Sequence, residues 1–274
     1  MNNISRISCG YYHTAAITAT GQVVCWGCNH NGQCDVPPNL ENIVSVSCGN
    51  YYTGALTEEG KVICWGVNHD HQCDVPPNLE NIVSVSCGRH HTAVITAKGK
   101  VICWGRNKEN QCNVPVDLEN IVSVSCGWYY TAALTADGRV ICWGVNIDKY
   151  FVTLENIVAI SCGWVNMIAL TAEGRLNWIS NKKVRTLDSE TINAICCGDV
   201  FIAAITSDHR VVCWGIDNYP IPPDLDEVVS VSCRRCHVAA ITAAGRVVCW
   251  GNNEYNQCNV PEGLVAQTGM VILM

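Results

Sequence analysis

One phrase recurs through this chain and limits what it can fold into. From Ile43 the sequence reads IVSVSCGNYYTGALTEEGKVICWGVNHDHQCDVPPNLEN and then begins again. Cys48, Cys87 and Cys126 sit in the same Ser-Cys-Gly, 39 residues apart, and Cys9 precedes them by the same step. Cys162, Cys197 and Cys233 follow at steps of 36, 35 and 36 residues. A tryptophan marks the other half of each unit: Trp26, Trp65, Trp104, Trp143, Trp178, Trp214 and Trp250. Both markers count seven. At such a period each repeat is one supersecondary unit that buries its apolar face only against its neighbours.

Each unit carries three clear strand signals. Ile43 to Cys48 alternates apolar and small polar residues, as a strand with two different faces does. Thr53 to Thr57 is short, small and apolar, and ends at a glycine-containing turn before the β-branched run Lys61 to Gly66. A fourth, weaker strand is expected around Cys73-Asp74-Val75, before Pro76-Pro77 stops it. No stretch has a helical period of any length. Four short strands per unit, repeated radially, solve the problem of open sheet edges by forming a propeller. The expectation is an all-β, seven-bladed β-propeller with repeats of 35–39 residues.

The phrase also resembles the repeat of the regulator of chromosome condensation family, a seven-bladed propeller family. Cys9, Gly10, His13, Thr14, Ala15, Gly21, Trp26, Gly27 and Asn29 carry the match in the first repeat, and Cys87 to Asn107 matches nearly as well. The resemblance covers about residues 4–264. It implies the fold strongly and the function weakly, because propellers of this kind host many activities. Residues 1–264 are read as one propeller, and 265–274 as an apolar tail that docks on a blade edge or a partner copy, or closes the ring.

Composition narrows the function. The net charge is −7, which counts against a nucleic-acid partner, whose phosphates require a basic surface. The family's founding member binds chromatin and acts as a guanine-nucleotide exchange factor. Here there is no basic tail and no long insertion between blades, so exchange activity is the least favoured reading. No run approaches the length of a membrane span. Met1 to Ser5 leads straight into the first repeat without an apolar leader, so a cytoplasmic location is expected, with a virion or other oxidising surface as the alternative.

Twenty cysteines are the unusual feature. They recur at three repeat positions: ending the first strand, preceding the tryptophan, and preceding Val-Pro, with Cys28, Cys196 and Cys236 as extras. One reading makes them free thiols acting as small core hydrophobes. The other makes some of them disulfides, since such a number is uncommon in a reduced compartment. The pairs Cys25-Cys28 and Cys233-Cys236 would be neighbours in a closed ring, yet Cys25 and Cys233 fill regular repeat positions, so no zinc site is expected. The Asn or Asp two places after each Trp-Gly reads as a turn residue, not a metal ring. No cofactor is expected either.

Catalysis has no visible carrier. His13, His91 and His237 occupy the family's structural histidine position, which holds Tyr52, Tyr130, Asn166 and Phe201 in the other repeats. A position that accepts those swaps is a packing or turn site rather than a general base. The informative surface is the pair of residues after each Ser-Cys-Gly, which varies while its flanks do not. Equivalent loops share one face of a propeller, and Tyr11, Tyr12, Tyr51, Arg89, His90, Trp128, Tyr129, Trp164 and Arg235 fall there. Aromatic and arginine anchors mark interfaces. The expected role is a non-enzymatic protein-interaction scaffold that binds a protein partner. The alternatives are a self-assembling, cysteine-rich structural protein that binds copies of itself, and sugar binding by the aromatic rim.

Overall fold

The computed structural model describes residues 7–145, 154–180, 183–187, 190–199, 201–215 and 219–265. The described residues form seven antiparallel sheets in chain order and contain no helix. The first blade is Ile7–Cys9, His13–Ile17 and Val23–Gly27. The second is Ile43–Cys48, Tyr52–Thr57 and Val62–Gly66. The third and fourth repeat it at Ile82–Cys87, His91–Thr96, Val101–Gly105 and at Ile121–Cys126, Tyr130–Thr135, Val140–Gly144. The fifth is Ile157–Cys162, Asn166–Thr171, Leu176–Ser180 and Lys183–Leu187. The sixth and seventh are Ile192–Cys197, Ile202–Thr206, Val211–Trp214 and Val228–Arg234, His237–Thr242, Val247–Gly251.

A ring of hydrogen bonds joins the first strands. In blade two the Cys48 N–H donates to Ser8 Oγ of blade one at 2.9 Å. The same bond joins Cys87 to Ser47, Cys126 to Ser86, Cys162 to Ser125, and Cys197 to Ser161. Cys9 N–H reaches Ser232 at 2.9 Å, which closes blade one on blade seven. At the sixth joint the acceptor is a sulfur: Cys233 N–H donates to Cys196 Sγ at 2.8 Å. The small residue just before each first-strand cysteine is therefore the inter-blade acceptor.

Further out, a second latch ties blades together. The Gln72 backbone carbonyl accepts from Trp104 Nε1 at 3.0 Å and from Thr92 Oγ1 at 2.9 Å, both in the next blade. Gln33 does the same for Trp65 and Thr53, and Gln257 for Trp26 and Thr14 across the closing joint. Gln111 O accepts from Thr131. The buried indole thus finds its one partner in a main-chain carbonyl of the preceding blade. The following glycine has to admit that neighbour: Gly66 has φ +107°, and a Cβ there would stand 2.6 Å from Tyr51 O and 3.1 Å from Gln33 Cα. Between the blades lie small apolar cores, such as Ala15, Ile17, Val46, Cys48, Ala55 and Trp65 at the first joint.

Two expectations need correction. The segment Cys73-Asp74-Val75 is a turn, not a strand, and among the described residues six of the seven sheets have three strands. Asn68 Oδ1 takes the Cys73 N–H at 2.8 Å, Asn68 Nδ2 donates to Asp74 Oδ1, and Val75 N–H closes on Cys73 O. Those donors are then unavailable to a ladder, and Pro76-Pro77 has none to offer. Asn29, Asn107 and Asn253 hold the same turn; their counterparts Asn146, Asn181 and Asp217 lie outside the described residues. Among the described residues a fourth strand is present in blade five alone, the repeat that departs furthest from the pattern.

Trp178 is the second correction. Met167 pairs with Ile179, as Thr53 pairs with Trp65, so Ile179 fills the tryptophan slot and Trp178 sits one place earlier, on the other face. Trp26, Trp65, Trp104, Trp143, Trp214 and Trp250 all hold the expected register. All twenty cysteines are free thiols. Val265 bridges Arg246 of blade seven, and its carbonyl accepts the Ala19 N–H of blade one at 3.3 Å. The docking expected of the tail otherwise falls on residues 266–274, outside the described residues.

Candidate binding face at the end of the axis

The loops after the first strands all emerge at one end of the ring. A short connection that carries the variable pair follows the first strand of each blade. Tyr11 of blade one lies 6.2 Å, centroid to centroid, from Trp128 of blade four, so the loops meet over the axis. All of the expected rim residues except His90 are linked in one continuous cluster. Trp128 stacks on Trp164 at 4.7 Å and meets Tyr129 edge-on at 6.1 Å. Tyr11 contacts Tyr12 at 4.6 Å and Tyr51 at 5.7 Å, and Tyr12 lies 6.1 Å from Tyr51.

Two arginines are interleaved with these rings. The Arg89 guanidinium lies 4.1 Å from the Trp128 ring centroid and donates to Tyr129 OH. Arg235 lies 4.1 Å from Tyr11 and 4.2 Å from Tyr12. Cation–π contacts of this kind contribute about 0.5–2 kcal/mol each, depending on desolvation. Arg235 reaches its place from a left-handed backbone, φ +48°, which non-glycine residues rarely adopt. His90 is half-buried with Nδ1 3.4 Å from Asp70 Oδ2. Burial and then the Arg89 charge lower its pKa.

Most of these side chains are half-buried, and they therefore also cover the blade ends. Trp164 and Val165 stand out, at 42% and 58% exposed. Beneath the cluster lie Asn50 and Asp199, both buried. Burial raises the Asp199 pKa, against the opposing pull of Arg234, the Trp128 indole and Arg89. Asn50 Oδ1, Arg89 Nε and Arg235 Nη1 are buried atoms with no hydrogen-bond partner among the described residues. The face therefore offers planar apolar surface with two guanidinium groups interleaved in it.

Sequence reasoning missed five contributors. Arg234 replaces the glycine of the Ser-Cys-Gly phrase and reaches across to donate to Cys87 O at 2.9 Å and Cys48 O at 3.1 Å. Tyr255 extends the cluster, 4.4 Å from Tyr12. Arg106, held by Glu109 at 2.7 Å, lies 5.6 Å from the Tyr129 ring. The floor residues Asn50 and Asp199 stood in the variable pairs but lacked the aromatic signal. Arg234 was detectable as the one break in the glycine column.

The structural histidines behave as stitches. His13 Nε2 meets Thr53 Oγ1 at 3.0 Å, His91 meets Thr131 at 2.9 Å, and His237 meets Thr14 at 3.0 Å, each in the next blade. Burial lowers their pKa values to about 3, 3 and 4, so they are neutral at physiological pH. Tyr52 in the same position donates to His91 O at 2.5 Å. Among the described residues no three metal-binding side chains cluster, and no helix is long and apolar enough to cross a membrane.

Comparison with known proteins agrees with this architecture. The family model of the regulator of chromosome condensation (RCC1) repeat matches residues 4–33, 43–72, 82–111, 121–148 and 228–257, more than half of the chain. No curated protein matches the sequence. Among solved structures, the CRINKLY WD40 ectodomain of the Arabidopsis thaliana receptor kinase ACR4 is similar with 21% identity and a TM-score of 0.74, covering 92% of this chain and 96% of that one. Prp20p from Saccharomyces cerevisiae, described with its binding properties to Gsp1p and histones, has 19% identity and a TM-score of 0.57, covering 96% and 75%. Yeast RCC1 (Prp20) bound by Kap60 has 20% identity and a TM-score of 0.56, covering 96% and 73%. At these identities the likeness shows the fold.

Proposed function

We propose, for a chain that belongs to the regulator of chromosome condensation (RCC1) repeat family, that it is a non-enzymatic propeller that docks a protein partner on the face formed by Tyr11, Tyr51, Arg89, Trp128, Trp164 and Arg235. The observation that carries this reading is the convergence of aromatic rings and arginines from several blades over the axis, with Trp164 at its exposed edge. Tryptophan, tyrosine and arginine dominate interface energetics because they bury large areas while keeping a polar tip. The family relationship supports the coarser role: Prp20 is described in complex with Kap60 and by its binding to Gsp1p and histones. The partner segment that fits here presents aromatic or apolar side chains and carbonyl or carboxylate acceptors for the arginines.

Proximity labelling in the native cell, followed by titration of the purified partner, tests the proposal. Trp164→Ala is expected to weaken binding about tenfold or more, as anchor residues do. Arg139→Ala, in the Asp137–Arg139 hairpin turn at the far end of its blade, serves as the control and leaves affinity unchanged. Equal affinity for wild type and Trp164→Ala overturns the assignment of the face. Binding of purified glycans that is lost with Trp164→Ala, without any protein partner, points to the sugar reading instead.

A further inference from the structure

The ring of first-strand hydrogen bonds has one joint unlike the rest. At six joints a serine hydroxyl accepts the next blade's cysteine N–H. Between blades six and seven that acceptor is Cys196 Sγ, 2.8 Å from Cys233 N. Cys196 Sγ also lies 3.4 Å from Cys233 O. A thiol has thus replaced the hydroxyl at a place where the neighbouring strand already carries a thiol. Covalent lengths hold the two Cα atoms within about 7 Å, at the upper edge of the range a disulfide spans.

We propose that Cys196 and Cys233 form a peroxide-reactive cysteine pair that closes into a disulfide across the joint between blades six and seven. Cys196 is partly exposed, whereas Cys233 is buried, so the two are suited to the attacking and resolving roles respectively. Their surroundings differ in the same sense. Hydrogen bonding by the Cys233 thiol and N–H, with the Arg234 charge nearby, lowers the Cys196 pKa. Burial raises that of Cys233, as it raises those of Cys9 and Cys197 beside it. The thiolate is the reactive form, and it is favoured by donors and by positive charge.

The chemistry balances with a hydroperoxide as the oxidant. The Cys196 thiolate attacks one peroxide oxygen; the S–O bond forms, the O–O bond breaks, and the departing hydroxide or alkoxide leaves as water or alcohol after taking a proton. Cys233 sulfur then attacks the sulfenic sulfur. The S–S bond forms, the S–O bond breaks, and hydroxide leaves as water with the Cys233 proton. Two thiols are oxidised by two electrons, and one peroxide is reduced. The product staples two blades that lack the outer Gln-to-Thr latch described above.

The test uses native full-length protein, prepared reduced, exposed to less than one equivalent of hydrogen peroxide, and then alkylated. Two proteases with tandem mass spectrometry separate Cys196 from the adjacent Cys197. The Cys196–Cys233 link is expected to exceed any other oxidation product about tenfold, because the partner strand holds the resolving sulfur beside the attacking one. Cys196→Ser restores the residue used at six joints, so it should fold and show no link at Cys233. A link through Cys197, first oxidation at the exposed Cys213, or peroxide consumption by Cys196→Ser equal to that of wild type overturns the proposal.

Discussion

At the residue scale, the buried histidines make stability depend on pH in a defined window. His13, His91 and His237 have folded-state pKa values of about 3, 3 and 4, below the ordinary value of 6.5. Between those limits the unfolded chain binds a proton at each site that the native state excludes. Stability therefore rises with pH through this window, and it is lost as pH falls below about 6.5, by about 1.4 kcal/mol per pH unit for each histidine. Above pH 7 the histidines contribute no slope. Urea unfolding from pH 4.5 to 7.5 checks this: His91→Tyr, which installs the residue found in blades two and four, should reduce proton uptake on unfolding at pH 5 by about one. An unchanged profile means the histidines are not buried neutral. The structural character of this position was legible from its substitutions. Its partner was not, because the threonine lies one repeat further along, with nothing in the local sequence to tie the two together.

At the scale of the element, the latches follow a rule across repeats. Gln33, Gln72, Gln111 and Gln257 each precede a blade with threonine at the receiving position: Thr53, Thr92, Thr131 and Thr14. Blades five, six and seven carry Met167, Ile202 and Val238 in that register, and the repeats before them lack the glutamine. Thr53→Val should cost about 1–3 kcal/mol, since it strips a buried partner from His13; the urea midpoint reads it. At the sixth joint Phe201 and Val238 stand where others have His and Thr. Phe201→His and Val238→Thr should each destabilise alone, and the double variant should recover about 1 kcal/mol or more relative to their sum. Additive effects would mean the two sites do not touch. The glutamine–threonine pairing was present in the sequence as a co-occurrence, but its acceptor is a main-chain carbonyl, which side-chain patterns do not display. Trp178 misled for a related reason. It lies four residues after the hairpin glycine Gly174, where the true slot lies five after it, as Trp65 does after Gly60. Counting from the turn identifies Ile179.

At the scale of the molecule, seven blades and their order were legible because the period is fixed and a propeller leaves no open edge. The convergence of the loops was not, since spacing along the chain says nothing about distance across the axis. The uneven latching makes one side of the ring looser. Hydrogen exchange should show blades one to four protected more strongly than blades five and six, by about 1 kcal/mol or more of opening free energy. Uniform protection would show that apolar packing alone sets the opening. The closing joint has a further consequence for how the protein is made. Ile7 and Cys9 are covered by Ala239, Ile241 and Val247 of blade seven, and Thr14 and Trp26 wait for the Gln257 carbonyl. The first blade to leave the ribosome is therefore the last to gain its second neighbour. Until blade seven has emerged, its apolar flank stays open to other nascent chains, and slow translation of that repeat prolongs the exposure.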